Sequence, residues 1–182
     1  YVKSGVKPDR LIAGGHQERT RRGGTTNVPA VVGLAAALEK ALNNLDKNAR
    51  HIAAMRDRFV EAVERRIPHV IYNGDRIRRT PANANFSFEY VEGESILMRL
   101  DLEGIACSSG SACSSGSLDP SHVLLAIGLP EEKAHGSIRF TFGKDTTQED
   151  VDYTVEKLVA IIENLRAMSP LFAEIKGGQK YV

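Results

Sequence analysis

The stretch "SIRFTFG", residues 137–143, decides what kind of fold this chain can adopt. Apolar and polar residues alternate along it, and successive side chains of a β-strand point to opposite faces of a sheet. Ile138, Phe140 and Phe142 are therefore predicted to face a core, whereas Arg139 and Thr141 face the other way. The alternation predicts a sheet with one buried face and one open face, and it places a guanidinium on the open face.

Further strands and helices are predicted on either side of this stretch. The strands are residues 70–72, residues 85–90, with Phe86, Phe88 and Tyr90 on one face, and residues 105–107. Short helices are predicted at 94–100 and 120–128, and a capping box of Thr146 and Glu149 begins the last helix. This order predicts a mixed α/β architecture that contains an α+β domain of about four strands and three helices.

A long helical pattern precedes the strands. Asn27 is a good helix cap, Pro29 suits the first turn, and apolar residues recur at helical spacing as far as Val63. An unbroken helix to Arg65 would be about 57 Å long. We therefore expect either a brace between two domains or a break near Asn43 and Asn44.

Composition excludes several classes of protein. The chain has 182 residues, 42% of them hydrophobic, and a formal net charge of +1, which gives no general attraction to nucleic acid or membranes. No apolar run approaches the length of a membrane span. Two cysteines are too few for a disulfide-stapled secreted fold and lack zinc-site spacing, so we expect a reducing, cytosolic setting. The basic cluster at residues 76–79 is interpreted as a solvated turn.

A cysteine lies in a segment that consists almost entirely of serine and glycine. Ser108–Ser117 holds six serines, two glycines, Ala112 and Cys113, so no side chain there buries enough apolar area to order the segment. We expect the segment to be mobile. It is either a linker that holds a cysteine by chance or the carrier of a thiol that must visit two places. Cys107, which follows Ile105, is interpreted as a small core residue rather than a redox partner of Cys113.

Three stretches together resemble one family. They are "SSGSACSSGSLDPSHVL" (108–124), "GGHQERTRRGGTTNVPAVVGLAAALE" (14–39) and "SIRFTFGKDTTQEDVDYTVEKL" (137–158). They are similar to the C-terminal half of the pyridoxal-phosphate-dependent cysteine desulfurases of the iron–sulfur-cluster and nitrogen-fixation type, in the class V aminotransferase family. The resemblance covers nearly the whole chain and implies the aspartate aminotransferase-like fold, of which only the C-terminal portion is expected here.

The resemblance implies roles for three residues. Cys113 matches the nucleophile that takes sulfur from L-cysteine, leaving L-alanine and a persulfide, and it is a candidate transient ligand of an iron–sulfur cluster shared with a scaffold. Arg139 matches the arginine that binds the substrate carboxylate, a task that suits its guanidinium fork. Thr25 matches the threonine that reaches the cofactor phosphate of the other subunit in a homodimer. His16, in the same loop as Thr25, is given no role in the chemistry.

The family's Schiff-base lysine lies in an N-terminal half that this sequence does not contain, and no lysine here, Lys144 included, stands in the matching motif. We therefore expect the chain by itself neither to bind the cofactor covalently nor to turn over cysteine. The expected division is the end of a large cofactor-binding domain (1–26), a linking helix or helix pair (27–66), a small C-terminal domain (67–168) and a tail (169–182).

Two hypotheses about function are kept. The first is a cysteine desulfurase segment that acts on L-cysteine and passes sulfur to an iron–sulfur scaffold or another acceptor, without contacting membranes or nucleic acid. The second is a non-catalytic module that docks such a scaffold. An anion- or nucleic-acid-binding domain is disfavoured by the near-neutral charge.

Overall fold

A computed structural model describes residues 2–109 and 120–176, in two units. The first unit is Tyr1–Leu45 and the second is Asp46–Val182. Because the strands lie in the second unit, the sheet and its core belong to that unit.

The first unit consists of a glycine-rich loop region and one helix. A single turn, α1 (Gln17–Thr20), is left-handed, since Glu18, Arg19 and Thr20 all have positive φ. Helix α2 (Val28–Asn43) begins as the sequence predicts, because the side chain of Asn27 accepts a hydrogen bond from the Ala30 amide.

The long helical pattern is broken, which is one of the two expected alternatives. Helix α2 ends at Asn43, and helix α3 (Leu45–Arg66) begins two residues later. The side-chain amide of Asn44 donates to the Lys40 carbonyl at 2.9 Å. This bond satisfies one of the carbonyl groups that the end of a helix leaves without a partner.

The second unit is built on a four-stranded antiparallel sheet with the order β1-β2-β4-β3. The strands are β1 (Val70–Tyr72), β2 (Asn83–Phe88), β3 (Ser108–Ser109) and β4 (Ser137–Thr141). Strand β4 lies between β2 and β3, so Arg139 pairs with Asn85 of β2 on one side and with Ser108 of β3 on the other. The sequence "SIRFTFG" thus forms an inner strand of the sheet.

Helices cover one face of this sheet. The second unit also contains α4 (Gly93–Leu102), α5 (His122–Ala126), α6 (Glu131–Ala134), α7 (Gln148–Met168) and α8 (Pro170–Lys176). A single core joins α3, α4 and α7 to the apolar side chains of the strands, which include Ala84, Phe86, Phe88, Ile138 and Phe140. Phe59 of α3 contacts the rings of Phe86, Phe140 and Phe142.

Three local predictions differ from the structure. Residues 105–107 are not a strand, because the residues that pair with β4 are Ser108 and Ser109. Strand β2 ends at Phe88, and Tyr90 lies beyond it with a positive φ. The capping box of α7 is Thr147 with Asp150, one residue later than predicted, since Thr146 instead accepts a hydrogen bond from the Gly143 amide.

A close backbone approach positions β4 against β2. The Phe88 amide donates to the Gly136 carbonyl at 3.0 Å. A Cβ atom on Gly136 would lie 2.2 Å from the Phe88 oxygen, so only glycine fits at this position. The glycine thereby allows β4 to begin at Ser137 with Arg139 two residues further along.

Candidate active site

Arg139 lies on the open face of the sheet, as its place in "SIRFTFG" predicts. Its side chain is exposed, while Ile138 and Phe140 on either side are buried and hold the strand in register. Among the described residues it has no hydrogen-bond or ion-pair partner. The guanidinium is therefore available to bind an anion from solution.

A cleft surrounds Arg139, and we call it the Arg139 cleft. Its volume is about 390 Å³. The residues that line it are Asn73, Gly74, Asp75, Arg78, Arg79, Thr80, Asn83, Asn85, Ser109, Ser121, Val123, Leu124, Ile127 and Arg139. The polar face of the sheet forms part of its wall, and the cleft has more basic than acidic side chains.

The cleft also defines where the Cys113 segment is attached. Cys113 belongs to residues 110–119 and lies outside the described residues. Ser109, the last described residue before this segment, lines the Arg139 cleft, and so does Ser121, the second described residue after it. The chain on both sides of the segment therefore lies at the anion-binding face.

Arg79 corrects the interpretation of residues 76–79 as a solvated turn. Its guanidinium lies 4.2 Å from the centre of the Tyr72 ring and donates to the Asn73 carbonyl at 2.8 Å. Its Nε and Nη1 atoms are buried and have no acceptor among the described residues. Burial lowers the pKa of Arg79, with a further contribution from the nearby Arg56. The sequence did not predict the burial of Arg79, because its stacking on Tyr72 depends on the conformation of the turn between them.

The other arginines of this turn are on the surface. Arg76 pairs with Glu64, and Arg78 pairs with Asp75. Backbone hydrogen bonds from Arg78 and Ile77 lower the pKa of the Asp75 carboxyl, which keeps it ionised. Among the described residues that line the cleft, Asp75 is the one acidic side chain, and it is already occupied by donors.

A group of hydrogen-bonded polar side chains behind Arg139 was missed from the sequence. The side-chain amide of Asn73 donates to Asn85 Oδ1 at 2.6 Å and to Ser87 Oγ at 2.9 Å. Asn73 and Ser87 are buried, although both are polar. The alternation of Asn85 and Ser87 with phenylalanines predicted that both lie on the open face. No pattern near Asn73 in the sequence predicted that its loop brings it into contact with them.

Cys107 is a half-buried residue that packs against the core, in accord with its interpretation as a small core residue. Burial raises the pKa of its thiol to about 11, and the negative charge of Asp101 adds to the effect. Because only the thiolate is a nucleophile, Cys107 is chemically inert near neutral pH.

Thr25 lies in the first unit, in the loop before α2, and its side chain is exposed. The Gly23 amide donates to the Ile12 carbonyl at 2.9 Å, and a Cβ on Gly23 would lie 2.7 Å from the Ala13 oxygen. Gly24 has a φ of +88°, which only glycine adopts readily. The loop thus presents the Thr25 hydroxyl with no partner among the described residues, which fits a phosphate ligand. His16 only precedes the left-handed turn, where its carbonyl accepts from Thr20.

Three lysines of the second unit do not fit a covalent cofactor link. Hydrogen bonds to Glu89 and Glu103 raise the pKa values of Lys133 and Lys157 respectively, and Lys144 is paired with Asp145. An amine that forms an imine needs a lowered pKa. These three lysines therefore do not fit this link, whereas the loop of Thr25 fits the phosphate of the cofactor.

Residues 2–109 and 120–176 lack two features. They contain no cluster of three or more histidine, cysteine or acidic side chains that could hold a metal ion. None of their helices combines the length and the apolar character that crossing a bilayer requires.

Comparison with known proteins places the chain in a family. The family described as Aminotransferase class-V matches residues 12–154, which include α2, the whole sheet and the start of α7. The chain therefore belongs to the class-V aminotransferase family. Curated relatives of the chain are cysteine desulfurases, which depend on pyridoxal phosphate.

Two curated relatives are similar along almost the entire chain. The cysteine desulfurase IscS of Dictyoglomus turgidum is 53% identical over 180 residues, which are 99% of this chain and 46% of the relative. The cysteine desulfurase IscS of Clostridium botulinum strain Hall is 50% identical over 176 residues, 96% of this chain and 44% of the relative. The chain thus spans less than half the length of these relatives.

Solved structures show the same fold. A NifS-like protein superposes with a TM-score of 0.78 and 32% identity, covering 91% of this chain and 42% of that one. The NifS-like protein of Rickettsia africae gives a TM-score of 0.75 and 26% identity, covering 87% and 41%. The predicted aspartate aminotransferase-like fold is thereby confirmed for this chain.

Proposed function

We propose that the chain is part of a pyridoxal-phosphate-dependent cysteine desulfurase that converts L-cysteine to L-alanine. Sulfur is carried as a persulfide on Cys113 and delivered to an iron–sulfur scaffold or another acceptor. One observation of the structure carries the proposal: Ser109, just before the Cys113 segment, and Ser121, two residues after it, line the cleft in which Arg139 has no partner among the described residues. A substrate anion and a thiol can therefore meet there.

Arg139 binds and orients the substrate. A guanidinium matches a carboxylate with two parallel hydrogen bonds, so it fixes direction as well as position. The neighbouring Arg78 and Arg79 make the cleft attractive to anions, and Asp75 does not compete because its carboxylate is already held.

Cys113 receives the sulfur atom. It is four residues from Ser109, so its Cα lies at most about 14 Å from that residue, because an extended chain spans at most about 3.5 Å per residue. In the transfer, the bond between Cβ and sulfur of the substrate breaks and a sulfur–sulfur bond to Cys113 forms. The protons of the two thiols end on alanine and on the terminal sulfur, so the step balances without an oxidant.

Thr25 contributes a hydroxyl to the cofactor phosphate of the other subunit in a homodimer. When bound, pyridoxal phosphate supplies an electron sink that eases cleavage of the bond between Cβ and sulfur. In this proposal the cofactor domain ends near residue 26 and the small domain comprises residues 67–168. A persulfide carrier suits the reducing cytoplasm, where stable disulfides are rare.

The test is a comparison of two cysteine variants in the full-length protein that includes the preceding half. After exposure to L-cysteine, Cys113 should be one sulfur atom heavier by mass spectrometry, and Cys113→Ser should abolish sulfur transfer while the cofactor stays bound. Cys107→Ser, the matched control, should retain activity because that thiol is largely protonated.

Two results would contradict the proposal. One is alanine formation that survives in Cys113→Ser. The other is an unmodified Cys113 in a protein that still binds a scaffold, which would support the non-catalytic docking module instead.

A further inference from the structure

Asn85 lies directly opposite Arg139 in the sheet. The two residues are Cα partners in the antiparallel pair of β2 and β4, and both line the Arg139 cleft. Directly opposed side chains share one face of the sheet, with Cβ atoms about 5 Å apart. A ligand held by Arg139 is therefore within reach of the Asn85 amide.

The orientation of the Asn85 amide is determined by the residue behind it. Its Oδ1 accepts the hydrogen bond from Asn73, and the Asn73 amide also donates its backbone hydrogen to the Asn85 carbonyl at 2.9 Å. Asn73 is only 4% exposed, and Arg79 holds its carbonyl. Side chain and backbone of Asn73 together hold Asn85 in one orientation.

This orientation leaves the donor end of Asn85 free. The oxygen and the nitrogen of an amide lie on opposite sides of its terminal carbon, so Nδ2 points away from Asn73. Among residues 2–109 and 120–176, Nδ2 of Asn85 has no acceptor. Two N–H donors and a free guanidinium therefore share one side of the cleft.

We propose that Asn85 is a second binding residue for the substrate carboxylate, donating an amide hydrogen bond to an oxygen that Arg139 also holds. Asn73 is the positioning residue that aims this amide. The inference deepens the proposed function, since the carboxylate is that of the amino-acid substrate. The donor set favours a carboxylate over a cation or a neutral group because it offers no free acceptor.

The test measures binding by NMR in the 15N-labelled 182-residue chain. L-Alanine is the probe, and L-alaninamide, which lacks the carboxylate, is its matched control. The side-chain signals of Asn85 and Arg139 should shift in a saturable way with L-alanine and not with L-alaninamide. Asn85→Ala should weaken L-alanine binding about tenfold, as expected for a lost hydrogen bond to a charged group.

Asn85→Asp separates binding from folding. The aspartate keeps an oxygen for Asn73 but places a negative charge where the donor was, so L-alanine binding should be lost while the unfolding midpoint changes little. Gln148→Glu makes the same chemical change at an exposed position of α7 and should bind L-alanine normally.

The outcomes distinguish the two proposals. Equal shifts with alanine and alaninamide, or normal L-alanine binding by Asn85→Asp, would overturn the role of Asn85 whatever the enzyme does. Carboxylate binding that depends on Asn85, in a full-length protein that forms no alanine from L-cysteine, would support this inference and reject the desulfurase proposal.

Discussion

At the scale of single residues, the two cysteines differ in their surroundings. Cys107 packs against the core next to Asp101, and both burial and this negative charge favour its protonated form. Cys113 stands in a serine- and glycine-rich sequence in which the small Ala112 is its only apolar neighbour. Cys107 is therefore a poorly reactive thiol, whereas Cys113 is the candidate nucleophile.

We predict that iodoacetamide at pH 8 alkylates Cys107 about a hundredfold more slowly than an ordinary thiol, because its pKa is about 11 rather than 9.0. Peptide mapping by mass spectrometry gives the rate at each cysteine. In denaturant both cysteines should react alike, and equal rates in the folded protein would contradict the prediction. Since folding favours the protonated thiol, this contribution to stability is lost as the pH rises from about 9 to about 11.

At the scale of elements, the start of α7 shows how local contacts select between neighbouring residues. Both Thr146–Glu149 and Thr147–Asp150 have the spacing of a capping box. The turn at residues 143–146 uses the Thr146 hydroxyl, so Thr147 becomes the cap and Asp150 accepts from its amide at 2.9 Å. The hydrogen bonds from Thr147 lower the pKa of Asp150.

We predict that Thr147→Ala lowers the free energy of unfolding by about 1 kcal/mol, the usual effect of losing a helix cap. Asp150→Asn should destabilise the protein at pH 7, whereas the matched change Glu149→Gln should have a smaller effect. A carboxyl with a lowered pKa stabilises above its ordinary pKa of 3.8, and this contribution is lost as the pH falls below that value. Urea unfolding at pH 7 and pH 3 measures the difference, and an equal effect of both substitutions at pH 7 would contradict this assignment.

At the scale of the whole molecule, Arg166 connects the last turn of α7 to one end of the β1–β2 pair, where β1 begins and β2 ends. Its guanidinium donates to the carbonyls of Pro68, His69 and Glu89 at 2.7, 2.8 and 3.1 Å. The side chain is 4% exposed, and burial lowers its pKa. One arginine thus satisfies three carbonyl groups that are 77 to 98 residues away in sequence.

We predict that Arg166→Met lowers the free energy of unfolding by about 3 kcal/mol, because it removes three hydrogen bonds and leaves the carbonyl oxygens of Pro68 and Glu89 without a donor, whereas that of His69 still accepts from the Glu89 amide. Arg65→Met is the control, since the Arg65 side chain is exposed and its ion pair with Glu61 is long, with 4.0 Å between Nη1 and Oε1. Urea unfolding compares the two variants. Similar midpoints for both would show that the carbonyls of Pro68 and Glu89 find other partners.

Much of the fold could be predicted because its signals are local. The alternation in "SIRFTFG" and the cap at Asn27 act over a few residues, and the structure confirms both. The prediction of a strand at 105–107 was wrong. Ile105 and Cys107 are apolar because they pack against the core, not because they belong to a strand. Ser108 and Ser109 form the strand since they are the residues that reach β4.

The sequence by itself determined that the sheet has two unlike faces and that Arg139 lies on the open one, because side-chain direction alternates along any strand. It also determined the family, through motifs that extend along the chain. Only the tertiary structure decided which groups surround Arg139: the partner opposite it, the turn of Asn73 and Arg79, and the ends of the Cys113 segment. These groups come from strands and loops far apart in sequence, and strand register and core packing bring them together.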